Sequence, residues 1–205
     1  MSRRLAVLGA ALALAALIGS AVAPAASSER SESGNRVVHW DLVHFVSAVV
    51  LSGGEDVSQD ADTGDLITLT GSGHAEPSDD DAFGGGTFLH EKTDGTVVAQ
   101  GAYYVTDFIK WRRIEEGTLE GAGLVDGIGD IDDATSGILR LRVRLVPEID
   151  GAPGPSVDAV LIIYCRLPGA EVNFAEGVRL RIPKFSFDFV QHEDPALAGF
   201  TLFHR

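Results

Sequence analysis

From about residue 36 onward the chain is apolar at every second position rather than every third or fourth. That is the period of an extended strand, whose side chains alternate between two faces, and not of a helix. The run "RVVHWDLVHFVSAVVLSG" (36–53) is the longest of these; a short helix can use the same letters, but the β-branched content favours strand. Then come "DLITLTGSGHAEP" (65–77), "GGGTFLHEK" (84–92), "TVVAQGAYYVTDFIKW" (96–111), "GILRLRVRLVP" (137–147), "VDAVLIIYCRL" (157–167), "EGVRLRIPKFSFDFV" (176–190) and "GFTLFHR" (199–205), set apart by Gly, Pro and Asp. About eight strands with no sustained helical period predict one all-β domain over 36–205, an antiparallel β-barrel or β-sandwich. The spacing does not choose between these two.

Two strands alternate strictly. In "ILRLRVRLV", Leu139, Leu141, Val143 and Leu145 fall on one face and Arg140, Arg142 and Arg144 on the other. In "GVRLRI", Val178, Leu180 and Ile182 turn inward and Arg179 and Arg181 outward. If these strands are neighbours, the five arginines make a positive patch suited to a carboxylate, sulfate or phosphate. The same arginines can instead pair with acids across the sheet.

Between two apolar runs lies "LVDGIGDIDDATSG" (124–137). Calcium takes six to eight oxygens, and spaced carboxylates with intervening glycine let a short loop wrap it. Asp126, Asp130, Asp132 and Asp133, with the Ile128 carbonyl, are the candidate ligands, so calcium is the one cofactor the letters suggest. Gly127 and Gly129 also suit an ordinary tight turn, in which Asp is a favoured residue. Gly84, Gly85 and Gly86 are expected to bend a strand at a sheet edge. A phosphate-cradling loop would need a helix behind it, and none is predicted there.

The order "GGGTF", "DGTVVAQGAYYVTDFIKW", "DAVLIIYCRLPGA", "NFAEGVRL" resembles an uncharacterised family of small secreted bacterial β-proteins, a likeness that covers roughly residues 66 to 190 and implies no activity. "GTVVAQGAYYVT" and "GTLEGAG" are similar to the glycine-bearing strands of allene oxide cyclase-like barrels. This second resemblance implies a barrel and, as an alternative function, cyclase or isomerase chemistry inside it.

The chain opens "MSRRLAVLGAALALAALIGSAVAPAASSER", with Arg3 and Arg4 ahead of an apolar stretch and then small residues, the layout of a secretory signal peptide. Residues 1–25 are expected to be removed, with cleavage after Ala25, and "SSERSESGN" to form a flexible arm over 26–35. No second apolar stretch is long enough to span a membrane as a helix, and no cysteine follows the first to carry a lipid. Losing Arg3 and Arg4 takes the formal charge from −14 to −16, which repels nucleic acid and anionic lipid from the molecule as a whole. Cys165 is the sole cysteine, so no internal disulfide exists, and its place in an apolar strand predicts a buried, inert thiol.

Six histidines occur, at 39, 44, 74, 90, 192 and 204, none at a metal-binding helical spacing. His39 and Asp41 share a strand face, as do His74 and Glu76, and either pair has the composition of a general base with its orienter. No nucleophile elbow, kinase or zinc-protease signature is present. The letters therefore point to a secreted β domain that binds an anionic small molecule, a glycan or another protein. An enzyme using a barrel interior, or a structural surface protein, are the alternatives.

Overall fold

The computed structural model describes residues 37–194 and 197–205; the expected leader and arm, 1–25 and 26–35, lie outside the described residues. In chain order the strands are β1 (Val38–Val46), β2 (Val49–Ser52), β3 (Glu55–Asp60), β4 (Leu66–Thr70), β5 (Ser72–Glu76), β6 (Asp81–Glu91), β7 (Val97–Ile114), β8 (Val125–Asp126), β9 (Ala134–Ile149), β10 (Ala152–Pro153), β11 (Val157–Cys165), β12 (Gly177–Ile182), β13 (Phe187–Gln191) and β14 (Phe200–His204). Three 3₁₀ turns are the helical content of the described residues.

Ten strands close into an antiparallel barrel in the order β9, β11, β12, β13, β3, β4, β6, β5, β1, β14 and back to β9; β2, β7, β8 and β10 lie off this path, and β7 joins β6 to β9 with one face against the core. The sheet is thus a barrel and not a sandwich, and the strands outnumber the eight or so read from the sequence. The excess has local causes. The run 36–53 folds back at Ser47, which has a φ of 57°, and becomes β1 and β2. The run 65–77 is broken at Gly71 into β4 and β5, which pair with successive parts of the same β6. At Gly71 the φ is 149°, and a β-carbon would lie 2.3 Å from the Tyr103 hydroxyl, so only glycine makes the break.

Inside the ring the expected alternation holds. Leu139, Leu141, Val143, Leu145, Val178, Leu180 and Ile182 are all buried, alongside Trp40, Tyr103, Phe189 and Phe203. The apolar surface removed from water here is the main stabilising term. Cys165 is buried too, donating its thiol hydrogen to the Thr201 carbonyl at 3.3 Å, and burial pushes its pKa up. The three consecutive glycines do not lie at a sheet edge, because β6 has partners on both sides. Gly73 and Gly84 face each other across β5 and β6, and a β-carbon on either would come within 2.9 or 3.1 Å of the Trp40 indole. These glycines let two backbones pass directly over a fully buried tryptophan.

Two strands escaped the alternation rule. On β7 the inward residues are Tyr103, Val105, Phe108 and Trp111, because bulges beside Val105 and Phe108 each insert one residue and reset the phase. On β3 the buried positions are Asp56, Ser58 and Asp60, so the strand turns a polar face inward. Burial pulls the Asp60 carboxyl upward, yet bonds from the N–H groups of Asp188, Thr63 and Asp62 and from the Thr63 hydroxyl outweigh it and hold the pKa below the usual value. At Asp56 the bonds from the Val178 and Gly199 N–H groups and from the Ser58 hydroxyl do not outweigh burial. Its Oδ2 has no hydrogen-bond partner, and burial raises its pKa to about 7. Glu176 likewise turns its carboxyl inward, where burial raises it to about 8 although it accepts bonds from Thr201 and from the Arg166 N–H.

Asp56 and Glu176 keep their protons in the folded barrel at pH values where the unfolded chain, with carboxyl pKa values of about 4, has released them. Stability therefore falls as pH rises from about 4 to about 8, by an amount on the order of a few kcal/mol. Asp56→Asn resembles the protonated acid in shape, so chemical denaturation across this range should give a flatter decline for the variant than for the parent. Parallel declines would refute this assignment.

Candidate functional site

The outer face of β7, β9, β11 and β12 is the first candidate. β11 lies between the two arginine-bearing strands, so β9 and β12 are not direct neighbours. Residues opposite one another in an antiparallel ladder point to the same side, and the register then builds rows across four strands. One row is Lys110, Arg140, Ile162, Arg179; the next is Asp107, Arg142, Val160, Arg181, with Asp188 beyond it on β13. Arg144 stands opposite Asp158, and Arg112 opposite Ile138. Seven basic side chains thus share this face with three acidic ones, on a chain whose formal charge is −14.

Cross-strand pairing accounts for four of the five predicted arginines. Arg144 binds Asp158 at 3.0 Å, Arg142 approaches Asp107 at 3.9 Å, and Asp188 takes Arg179 at 2.5 Å and Arg181 at 3.7 Å. The Arg179 pKa is raised by its bond to Asp188, and that of Asp188 is lowered by the same bond. Among the described residues, Lys110, Arg112 and Arg140 have no carboxylate within ion-pairing distance.

The second candidate is the loop after β8. Asp126 accepts from the N–H groups of Ile128 and Gly129 through Oδ1, at 2.8 and 3.0 Å, and meets His204 Nε2 through Oδ2 at 2.6 Å. Burial raises its pKa, but His204 and the two N–H groups prevail and hold it low. Asp130 caps the following 3₁₀ turn by accepting from the Asp132 N–H, and Asp132 and Asp133 are exposed. The four aspartates therefore occupy turn, cap and surface positions. Among the described residues, no three His, Cys, Asp or Glu side chains are gathered as a ready metal cage.

Above this loop an open cleft of about 710 Å³ is lined by His39, Asp41, Asp130, Asp133, His204 and Arg205, among others. β14, β1 and β5 run side by side here, and the register sets His204 opposite His39 and His39 opposite His74. Asp41 is nearly buried beside them; burial raises its pKa, and the nearby His204 and His39 oppose the rise. The pairs His39 with Asp41 and His74 with Glu76 do share faces as expected. Sequence reasoning missed the Asp126 and His204 contact, whose partners are 78 residues apart.

A third feature is an apolar cavity of about 460 Å³ at one end of the barrel, walled by Ile67, Phe88, His90, Leu145, Ile182 and Phe187 among others. Its rim carries Val98, Ile149, Lys184 and Phe185. His90 is fixed by a 3.0 Å contact between its Nε2 and Asp65.

These features define a closed antiparallel barrel bearing one basic face, one histidine-rich cleft and one apolar mouth. Comparison with known protein families, with curated proteins and with solved structures gave no match. No helix among the described residues is long and apolar enough to cross a membrane.

Removing the Asp126 carboxylate strips two backbone N–H groups and one imidazole of their partner, at a cost of about 1–3 kcal/mol. Asp126→Ala should lower the melting temperature by several degrees, while the exposed Asp132→Ala should change it little. A calcium-dependent rise in the parent's melting temperature that Asp130→Asn abolishes would instead assign the loop to the ion.

Proposed function

We propose that the chain is an extracellular binding module that takes an extended polyanion, a sulfated or carboxylated surface glycan, on the outward face of β7, β9, β11 and β12. The observation that supports this reading best is the row Lys110, Arg140, Ile162, Arg179. It sets three cations across four adjacent strands with no carboxylate in the row. At about 4.8 Å per strand the row is roughly 14 Å long, a length suited to several charges of a polymer and not to a single small anion. Ile162 is itself buried beneath the row, so the cations around it supply the accessible surface. Arg142, Arg144 and Arg181 flank the row and, like Arg179 within it, share their charge with acidic neighbours, so Lys110 and Arg140 are the row's cations without an ion pair among the described residues. The leader-like segment 1–25 agrees with a place outside the cell. The negative charge elsewhere confines polyanion contact to this face.

An exposed ionic contact contributes up to about 1 kcal/mol, so replacing Lys110, Arg140 and Arg179 together by Gln should weaken binding to an immobilised sulfated polysaccharide roughly tenfold or more. Elution should shift to lower salt. The control Lys92→Gln, in the turn between β6 and β7, should elute like the parent. Equal retention of the triple variant would rule this row out as the polyanion surface.

A second reading rests on the cavity at the barrel mouth. Its volume lies within the usual range for small-molecule sites, and its wall is apolar with one histidine, as such sites commonly are. On this reading an apolar ligand with one hydrogen-bonding group enters the mouth, the geometry that an enzyme working in a barrel interior would also require. An anilinonaphthalene sulfonate probe should fluoresce on binding the parent and lose that signal in Leu145→Trp, which fills the cavity. Unchanged fluorescence in the variant would remove the cavity from consideration.

A further inference from the structure

We propose that the outer face of β1 and β5 binds a first-row transition metal ion, with His39 and His74 as its two imidazole ligands. This inference is independent of the polyanion reading, since it concerns other strands.

The two histidines are direct partners across an antiparallel pair, so their side chains leave the sheet on the same side. Their ring centres are 5.3 Å apart and the planes are tilted by 43°. Two imidazoles that share one zinc through nitrogens about 2.0–2.1 Å from the metal have ring centres roughly 5 Å apart. The rings therefore already stand near the separation that a shared ion requires. The β1 and β5 ladder sets the two backbones opposite one another, and the His74 ring also packs edge-on against Phe83.

His204 completes the row on the other side of His39 but is withheld from the ion, since its Nε2 is engaged by Asp126 at 2.6 Å. Asp41 sits on the same face of β1, one side-chain step from His39, and adds negative charge next to the pair. The result is an open site with two protein nitrogens, whose remaining coordination positions water fills. Imidazole donors select zinc, copper or nickel and disfavour calcium and magnesium, which prefer oxygen. The chemistry is thus distinct from that expected of the aspartate loop.

Zinc titration of the full chain by calorimetry tests the site. His39→Ala and His74→Ala should each weaken zinc binding roughly tenfold or more, and the double variant should be no worse than the weaker single one, because the ion needs both rings. His44→Ala is the control: it is exposed on the same strand, but its partner across the ladder is Leu51. Copper bound to the parent should show two coordinating nitrogens by electron paramagnetic resonance, a readout that does not depend on any variant folding. Zinc affinity unchanged in His39→Ala, equal loss in His44→Ala, or a copper spectrum without paired nitrogens would each overturn the proposal.

Discussion

The barrel depends on one strand that is paired along both edges. β9 runs from Ala134 to Ile149, takes β7 on one side and β11 on the other, and receives β14 at its start and β10 at its end. Closing a sheet on itself removes the unpaired edges that would otherwise recruit another chain. Closure also forces every inward side chain into a shared interior, which is why the leucines of β9 must alternate so strictly with its arginines. The basic face is therefore a by-product of closure as well as a candidate site. Residues that cannot point inward must be tolerated, or used, outside.

Around that apolar interior the polar groups are handled unevenly. At Asp60 and Asp126 the donors outweigh burial and the carboxylates stay charged, whereas at Asp56 and Glu176 burial outweighs the bonds they accept and raises their pKa to about 7 and about 8. The two kinds of site have opposite consequences on acidification. The first pair loses stabilising bonds as pH falls, and the second pair is relieved of a buried charge. A barrel that combines both can remain folded over a wide acidic range, because what one pair loses the other recovers.

Much of this was legible in the letters, and for physical reasons. Strict alternation identified the inward and outward sides of β9 and β12, since a one-residue slip would expose every leucine. The all-β class followed from the absence of a helical period. Barrel rather than sandwich did not, because closure is made by pairings such as His39 with His204, which are remote in sequence. β3 was missed for a different reason. Its inward residues are aspartates and a serine, so it carries no apolar signal at all. The bulges of β7 hid its phase in a similar way, since an inserted residue leaves composition unchanged while exchanging the two faces. Of the candidate sites, the arginine rows were readable up to the identity of the strand between them. The histidine row was invisible, because each member lies on a strand whose partner only the fold supplies.

The glycines that pass over Trp40 also bear on how such a barrel changes over evolutionary time. At Gly73 and Gly84 a single methyl group would meet both the indole and the opposing backbone, so drift at either position is closed unless the tryptophan shrinks in step. The outward arginines, aspartates and histidines face no such barrier and can be exchanged one at a time. Descendants of this chain would then keep the glycine spacing and the tryptophan while their surface chemistry diverged. Ancestry would be written in the residues that do nothing but let the chain bend, and the specialised surface of any one member would be a recent addition to it.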